Sequence, residues 1–435
     1  MSWLYNILLP MKWNLDLWRK SVEEFKDFML PVVATLGRSE RRVAATAYIE
    51  GLLIPGKRKS IEPMAKRVGV DSQKLQQFMT DSPWDEEAVW KTIRREIVPH
   101  LEPLDAWVVD ETGWLKQGRH SVGVRRQYCG SVGKVANCQV SVEVAVSCGG
   151  IAAPVAGRLY LPEKWSQDRS RLRRARVPKE IEFATKPKIA LELIRQTLAD
   201  GVAKAPVLGD AVYGDGFGFR EELRRLGMEF FLQVTPTMHT GWDYEVETEM
   251  KRTRRRVSPT AEPTQTLQEM ALAIEPKDWK KCVWTAVGGE TRKTRIAWKQ
   301  VYLASRLRLS GGDLEKVWLV VDWPEGDEAP YHCYLAHLHS PPTKAQCLKL
   351  SRSRWQIEQY FKRAKDDLGL DHYEGRSWPG FHHHLVLSAL AYLFVLTVYL
   401  RSKKNFWAHV GTDAPCDPPV LAEINRILLL LRDDV

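Results

Sequence analysis

Hydrophobic positions in the first hundred residues recur every three or four steps, most regularly in SVEEFKDFMLPVVATL and EEAVWKTIRREIVPHL, which predicts helices from residue 14 to 100. Between these runs, IEPMAKRVGVDSQKLQQFMTD reads as a helix, a tight turn through Val68, Gly69 and Val70, and a second helix capped by Asp71. That is the outline of a helix-turn-helix. From Asp105 to about Val234 the period changes. AWVVD, SVGVRRQYCG, NCQVSVEVAV and IAAPVAGRLYL are strand-like, with the AWVVD strand expected to end at Asp110. KPKIALELIRQTLADG then reads as a helix, APVLGD as a strand, GFREELRRLG as a helix and EFFLQV as a strand. A meander followed by alternating strands and helices predicts a mixed α/β sheet covered by helices.

Residues 236 to 340 break that rhythm. A basic cluster, KRTRRR, precedes strand-like ETRKTRIAWKQVYLASRLRL, KVWLVVDW and YHCYLAHL, so a β-rich insertion or subdomain is expected. A long helix from about 343 to 368, an apolar helix at 381 to 400 and a short helix around LAEINRILLLL follow. The apolar run LVLSALAYLFVLTVYL has 16 residues and contains Ser, Thr and two Tyr. A bilayer span needs about 20 apolar residues, so this run is read as a buried core helix and no membrane partner is expected. The opening MSWLYNILLPMKWNLDLWRK has neither a basic lead nor a small-residue cleavage site, and a signal peptide is not expected.

Composition narrows the partner. The chain has 64 Lys and Arg against 54 Asp and Glu, a net charge of +10, which points to a polyanion such as nucleic acid. RSERR and GKRKS, the latter holding Lys57, Arg58 and Lys59, add to this in the helical region; Arg252, Arg254, Arg255 and Arg256 further on are read as a phosphate-backbone surface. Seven cysteines without a CxxC pair are expected to be reduced and buried, in a cytosolic protein.

Candidate chemistry centres on two aspartates. VVDETGWLKQG and APVLGDAVYGDG each run through apolar residues to a carboxylate, Asp110 and Asp210, 100 residues apart. Paired carboxylates at strand ends suit a hard divalent cation. Asp215 is read as the cap of the helix beginning near Phe217. In SRSRWQIEQYFKRAKDDLG, at about 100° per residue, Arg354, Glu358 and Lys365 fall within about 40° of one another, beside an apolar stripe of Ile357, Phe361, Ala364 and Leu368. Glu358 thus offers the third carboxylate of a two-metal site.

VVDETGWLKQGRHSVGVRRQYCGSVGKVANCQVSV, YLPEKW, GDAVYGD and RWQIEQYFKRAKDDLGLDHYEGRSWPGFHHH together resemble the transposases of the insertion sequence 701 family, within the insertion sequence 4 group. The resemblance runs from roughly residue 20 to 400. It implies a ribonuclease-H-like fold with a DDE triad of Asp110, Asp210 and Glu358 as metal ligands and a β-rich insertion before the last acid; 148 residues separate Asp210 from Glu358. Two Mg2+ ions, with Mn2+ able to substitute, are the implied cofactors. The group's signature of Tyr, Arg, Glu and Lys on the last helix is kept at Arg354, Glu358 and Lys365, whereas Ser351 stands at the tyrosine position. Arg354 and Lys365 are therefore the expected grip on terminal phosphates, Arg as bidentate partner and Lys as point charge.

The expected organisation is a helical DNA-binding domain at 1–103, a catalytic core at 104–235 and 341–402, the β-rich subdomain at 236–340 and a C-terminal helix or tail at 403–435. The expected activity is cut-and-paste transposition: hydrolysis at the ends of an insertion sequence, then joining of the 3′-hydroxyl ends to target DNA, by a homodimer in the paired-end complex. The expected setting is the bacterial cytoplasm, at the nucleoid. The alternatives are a silent DNA-binding regulator of the same ancestry and a nuclease without strand transfer. Trp284, Trp298 and Trp323 are candidates to stack on an unpaired base, His382, His383 and His384 for phosphate or backbone contacts at a helix start, and His372 and Tyr373 for the DNA path or for loop packing.

Overall fold

The computed structural model describes residues 15–240, 242–243, 265–285, 290–303, 315–330 and 332–410. Its centre is a mixed sheet of 11 strands among these residues. β1 (Ala106–Leu115), β2 (Arg125–Cys129), β3 (Lys134–Cys148) and β4 (Ile151–Leu159) form the antiparallel meander. β5 (Val207–Gly209) and β6 (Phe230–Val234) then add parallel to β1 and to each other, separated by the helix Phe217–Arg225. Three two-residue pieces, β7 (His239–Thr240), β8 (Trp242–Asp243) and β9 (Gln265–Thr266), lead to β10 (Lys280–Thr285), β11 (Thr291–Leu303), β12 (Glu315–Pro324) and β13 (His332–His337). The strand order is β10-β11-β12-β13-β6-β5-β1-β3-β2, with β4 also on β3 and β8 on β11.

Two expectations change here. The strands expected as a β-rich insertion or subdomain do not stand apart but extend the central sheet, because β13 pairs antiparallel with β6, Leu335 opposite Leu232. The strand expected to end at Asp110 continues to Leu115, because β3 pairs with it along its whole length and puts Asp110 opposite Glu143. Asp110 therefore lies in mid-strand. It is still at an edge of another kind: β5 pairs with β1 only as far as Val108 and Leu208, so the parallel neighbour gives out just before Asp110.

The N-terminal helices Leu15–Thr35, Ser39–Leu53, Ile61–Val68, Ser72–Thr80 and Glu86–Thr92 follow the predicted pattern. Ile61–Val68 stops at Gly69, whose φ of 71° is easy only for glycine, and Asp71 caps the next helix by accepting from the Gln73 amide at 2.7 Å. These helices do not form a core of their own. One hydrophobic cluster runs from Phe25 through the sheet to Leu396, and Phe25 meets Phe394 edge-on at 5.0 Å between ring centres. The joining element is the helix Trp378–Val410, which crosses the expected boundary at 402. It is long and apolar enough to cross a membrane by composition alone, yet 78% of its most apolar window is buried inside the protein.

The expected helix from 343 to 368 is two helices, Lys344–Ser353 and Trp355–Asp366, broken at Arg354. KRTRRR at 251–256, with Arg252, Arg254, Arg255 and Arg256, and the expected helix at LAEINRILLLL lie outside the described residues. The described cysteines are free, and Cys129, Cys138, Cys282, Cys333 and Cys347 are buried.

Candidate active site

The parallel register of β1 and β5 brings the first two acids together. Trp107 faces Val207 and Val108 faces Leu208, so two residues further on Asp110 and Asp210 lie at the same level on neighbouring chain segments. β5 ends at Gly209, and Asp210 caps the short helix Ala211–Gly214 by accepting from the Val212 amide at 2.9 Å. That helix must lie against β6: a Cβ on Gly214 would come 2.0 Å from the Gln233 carbonyl oxygen. Asp110 accepts from the Glu111 amide at 2.8 Å.

The third acid arrives through Arg354. Its guanidinium lies 3.5 Å from Asp110 and 2.7 Å from Glu358, and its charge also acts on Asp210. Burial disfavours that charge, but Asp110, Glu358 and Asp210 together more than offset it. Arg354 stands at the junction of the two helices with helical backbone angles, φ −56° and ψ −41°, so Glu358, four residues on, lies one turn away on the same face.

The electrostatics are those of a crowded acidic site. Burial pushes the Asp110 carboxyl up to about 8; Asp210 and Glu111 add to the rise, while Arg354 opposes it. Asp210 is raised by burial and by Glu111, against Arg354 and Lys186. Carboxylates that raise one another in this way form a donor set suited to a hard divalent cation. Among the described residues no three His, Cys, Asp or Glu side chains stand as a ready-made ligand group, and Glu358 is 40% exposed and paired with Arg354. Asp110 and Asp210 thus fit a cation; Glu358 stands beside them with an arginine between.

Sequence reading missed the residues that brace this site. Glu111 takes an ion pair from Lys186 at 2.5 Å and the Tyr213 hydroxyl at 2.9 Å. Glu143, wholly buried opposite Asp110, accepts from Ser141 and from Tyr360, both at 2.9 Å, and Ser141 in turn accepts from the Trp114 indole at 3.0 Å. Burial lifts Glu143 to about 7 against those hydrogen bonds. A lone carboxylate inside the apolar run VSVEVAV was the available signal. Tyr360 lies two residues beyond Glu358 and points into the core, so it locks the rotation of the acid-bearing helix. Ser147 donating to Gln356 at 2.5 Å and Lys365 donating to the Gly113 carbonyl at 2.7 Å pin the same helix to β3 and β1.

Several sequence assignments shift accordingly. Lys365, expected on a phosphate, is spent on Gly113. Lys59, expected on DNA, is buried, donates to the Leu52 carbonyl and is lowered by burial to about 8. Arg58 pairs with Glu374, and Lys57 is exposed. Asp215 does not cap Phe217–Arg225, whose cap is Gly216; it accepts from the Thr235 amide and hydroxyl at 2.9 and 2.6 Å. His382, His383 and His384 make the backbone contacts expected of them but are too buried for phosphate, and His384 also meets the Tyr48 hydroxyl at 2.7 Å. His372 accepts from the Lys59 amide and Tyr373 stacks on His384. Both line a cleft of about 490 Å³ with Arg58, Lys116, His120 and Arg376. Trp284 and Trp323 have Arg352 and Arg295 over their rings at 4.5 and 3.7 Å, and Trp298 packs against the core.

Known proteins share parts of this sequence. Residues 31–298 match a family described as DDE superfamily endonuclease, a span that holds Asp110 and Asp210 and ends before Glu358. The chain is also 33% identical over 201 residues to a probable transposase for insertion sequence element IS701 from Microchaete diplosiphon. That stretch is 45% of this chain and 49% of the relative, so the chain spans about half of that relative's length. With more than half of its residues in the family match and two acids side by side within it, the chain belongs to the DDE superfamily endonucleases.

Proposed function

We propose that this protein is the transposase of an insertion sequence of the IS701 kind, in which Asp110, Asp210 and Glu358 act together on DNA phosphodiesters. The carrying observation is the pair Asp110 and Asp210, level on neighbouring segments, with Arg354 linking them to Glu358. The proposed fold type is ribonuclease-H-like, with Ser72–Thr80 as the second helix of a DNA-binding helix-turn-helix.

Asp110 and Asp210 would hold magnesium, or manganese in its place, with Glu358 as the third carboxylate. Two such cations supply activation of the attacking oxygen and stabilisation of the leaving oxygen in an in-line displacement. The chain's own residues do the rest. Arg354 neutralises the acids and holds Glu358 beside them, Glu111 with Lys186 and Tyr213 fixes the end of the site next to Asp210, and Tyr360 with Glu143 holds the helix in rotation. With water as nucleophile the strand is cut; with a freed 3′-hydroxyl it is joined to a target. No protein nucleophile is needed: Cys333 and Cys347 are pushed by burial to about 12 and are inert thiols. Two ends held together would require a homodimer.

The test is nicking of a duplex carrying the element's terminal repeat, with and without magnesium, by wild type and by Asp210→Asn. Magnesium-dependent nicking lost in the variant is expected. Metal-independent nicking, or nicking retained by the variant, would reject the assignment, and binding without cutting in both would favour the silent regulator.

A further inference from the structure

Several cations of the helical region are engaged: Arg94 is buried between Glu87 and Asp200, Arg95 also meets Asp200, and Arg58 and Lys59 are held as described above. Others are gathered at the β2 edge of the sheet. From Thr112 to Val142 the chain has five Lys or Arg and no Asp or Glu. Of these, Arg119, Arg125, Arg126 and Lys134 are exposed, with Tyr128 exposed between them.

A second arginine-rich element joins this edge. The helix Arg169–Arg174, sequence RSRLRR, leaves Arg169, Arg173 and Arg174 exposed, while Arg171 stacks over Trp165 at 3.7 Å and donates to the Arg119 carbonyl at 2.8 Å. Its one adjacent acid, Asp168, is used as the cap. Among the described residues no ion pair involves Arg125, Arg126, Arg169, Arg173 or Arg174. The next arginine along, Arg176, ion-pairs with Asp81 at 3.0 Å and donates to the Thr80 carbonyl. This ties the arginine helix to the end of Ser72–Thr80, which exposes Gln73, Lys74, Gln76 and Gln77.

We propose that β2 and the helix Arg169–Arg174 form one phosphate-binding surface for duplex DNA, continuing from the helix Ser72–Thr80 and separate from the acidic site. The inference rests on the reading that the chain acts on DNA. An unpaired array of guanidinium groups on an edge strand and a short helix, without carboxylates interspersed, matches the regular negative charge of a duplex backbone. Strand edges that carry charge also resist pairing with another sheet, which leaves this edge free for a nucleic acid. The array reads no bases; it would fix the path of DNA that the exposed glutamines contact.

The experiment is fluorescence anisotropy of the full chain with a labelled duplex of arbitrary sequence, from about 50 to 200 mM salt, recording the slope of log affinity against log salt. Three variants accompany wild type: Arg125→Gln, Arg126→Gln, Arg173→Gln and Arg174→Gln combined; the same four positions changed to Lys; and Lys277→Gln, Lys280→Gln, Lys281→Gln and Lys293→Gln combined, at the opposite end of the sheet. Each released counterion contributes about 0.9 to the slope, so the first variant should be shallower by about three to four, with the other two close to wild type. A first variant that keeps the wild-type slope, or a third that loses as much, would overturn the surface while leaving the DNA reading intact. Wild type that binds no duplex at any salt would overturn the DNA reading itself.

Discussion

Arg354 holds its guanidinium 3.5 Å from the Asp110 carboxylate and so ties the last acidic helix to the first acidic strand. Removing it in Arg354→Gln leaves Asp110 with Asp210 and Glu111 and no compensating charge, which drives its proton affinity higher still. Cleavage should fall about 10- to 100-fold, the usual loss when a group that supports a metal ligand goes. The rising limb of the pH-rate profile should move to higher pH. An unshifted limb would mean that Arg354 acts on DNA alone.

Asp110 should make the protein less stable while making it active. Its carboxyl sits near 8 in the folded chain against an ordinary 3.8, so the folded state holds the proton more tightly than the unfolded state does. The stability this contributes is complete below about pH 4 and is lost as pH rises through 8. Asp110→Asn, which cannot ionise, should match wild type near pH 4 and exceed it at pH 8 by something on the order of a few kcal/mol. Thermal melts in chelator at the two pH values check this, and added magnesium should narrow the gap. Wild type melting above the variant at pH 8 in chelator would contradict it.

Tyr360 and Glu143 form the lock behind Glu358. Tyr360→Phe removes one of the two hydroxyls that the buried Glu143 carboxyl accepts and should cost about 1–3 kcal/mol in urea denaturation. Single-turnover cleavage should drop with DNA affinity unchanged, because the helix rotates and the DNA surface does not. Unchanged cleavage in a destabilised variant would leave the pair with a packing role only.

Lys57 and Lys59 should separate cleanly in DNA binding. Lys59→Met should leave affinity and its salt dependence where they are, since Lys59 is buried on the Leu52 carbonyl. Lys57→Ala should reduce the salt slope by about one, the signature of a single phosphate contact. The reverse result would restore the sequence assignment of Lys59.

Much of this was legible in the chain because periodicity and burial agree over long stretches. The helix Lys186–Ala199, the strand pair β5 and β6 and the Asp71 cap all follow from local pattern. Asp110 and Asp210 could be matched because each ends an apolar run. The continuation of β1 could not: Glu111, Thr112 and Gly113 look like a loop until β3 pairs with every one of them. Nor does GKRKS reveal which cation turns inward, since an irregular segment has no period to separate its faces. The strands of 236–340 looked like a separate unit because what joins them to the core is the pairing of β13 with β6, about a hundred residues apart in sequence. Glu143 was visible as an oddity, but its partner Tyr360 is 217 residues away.

The most direct test of the account uses a labelled duplex bearing the element's end, a target plasmid and magnesium, with wild type beside Glu358→Gln. Wild type should give both cleaved ends and joined product, and the variant neither, with DNA binding preserved. Cleavage and joining by Glu358→Gln at the wild-type rate would contradict the assignment of Glu358 as the third acid of the site.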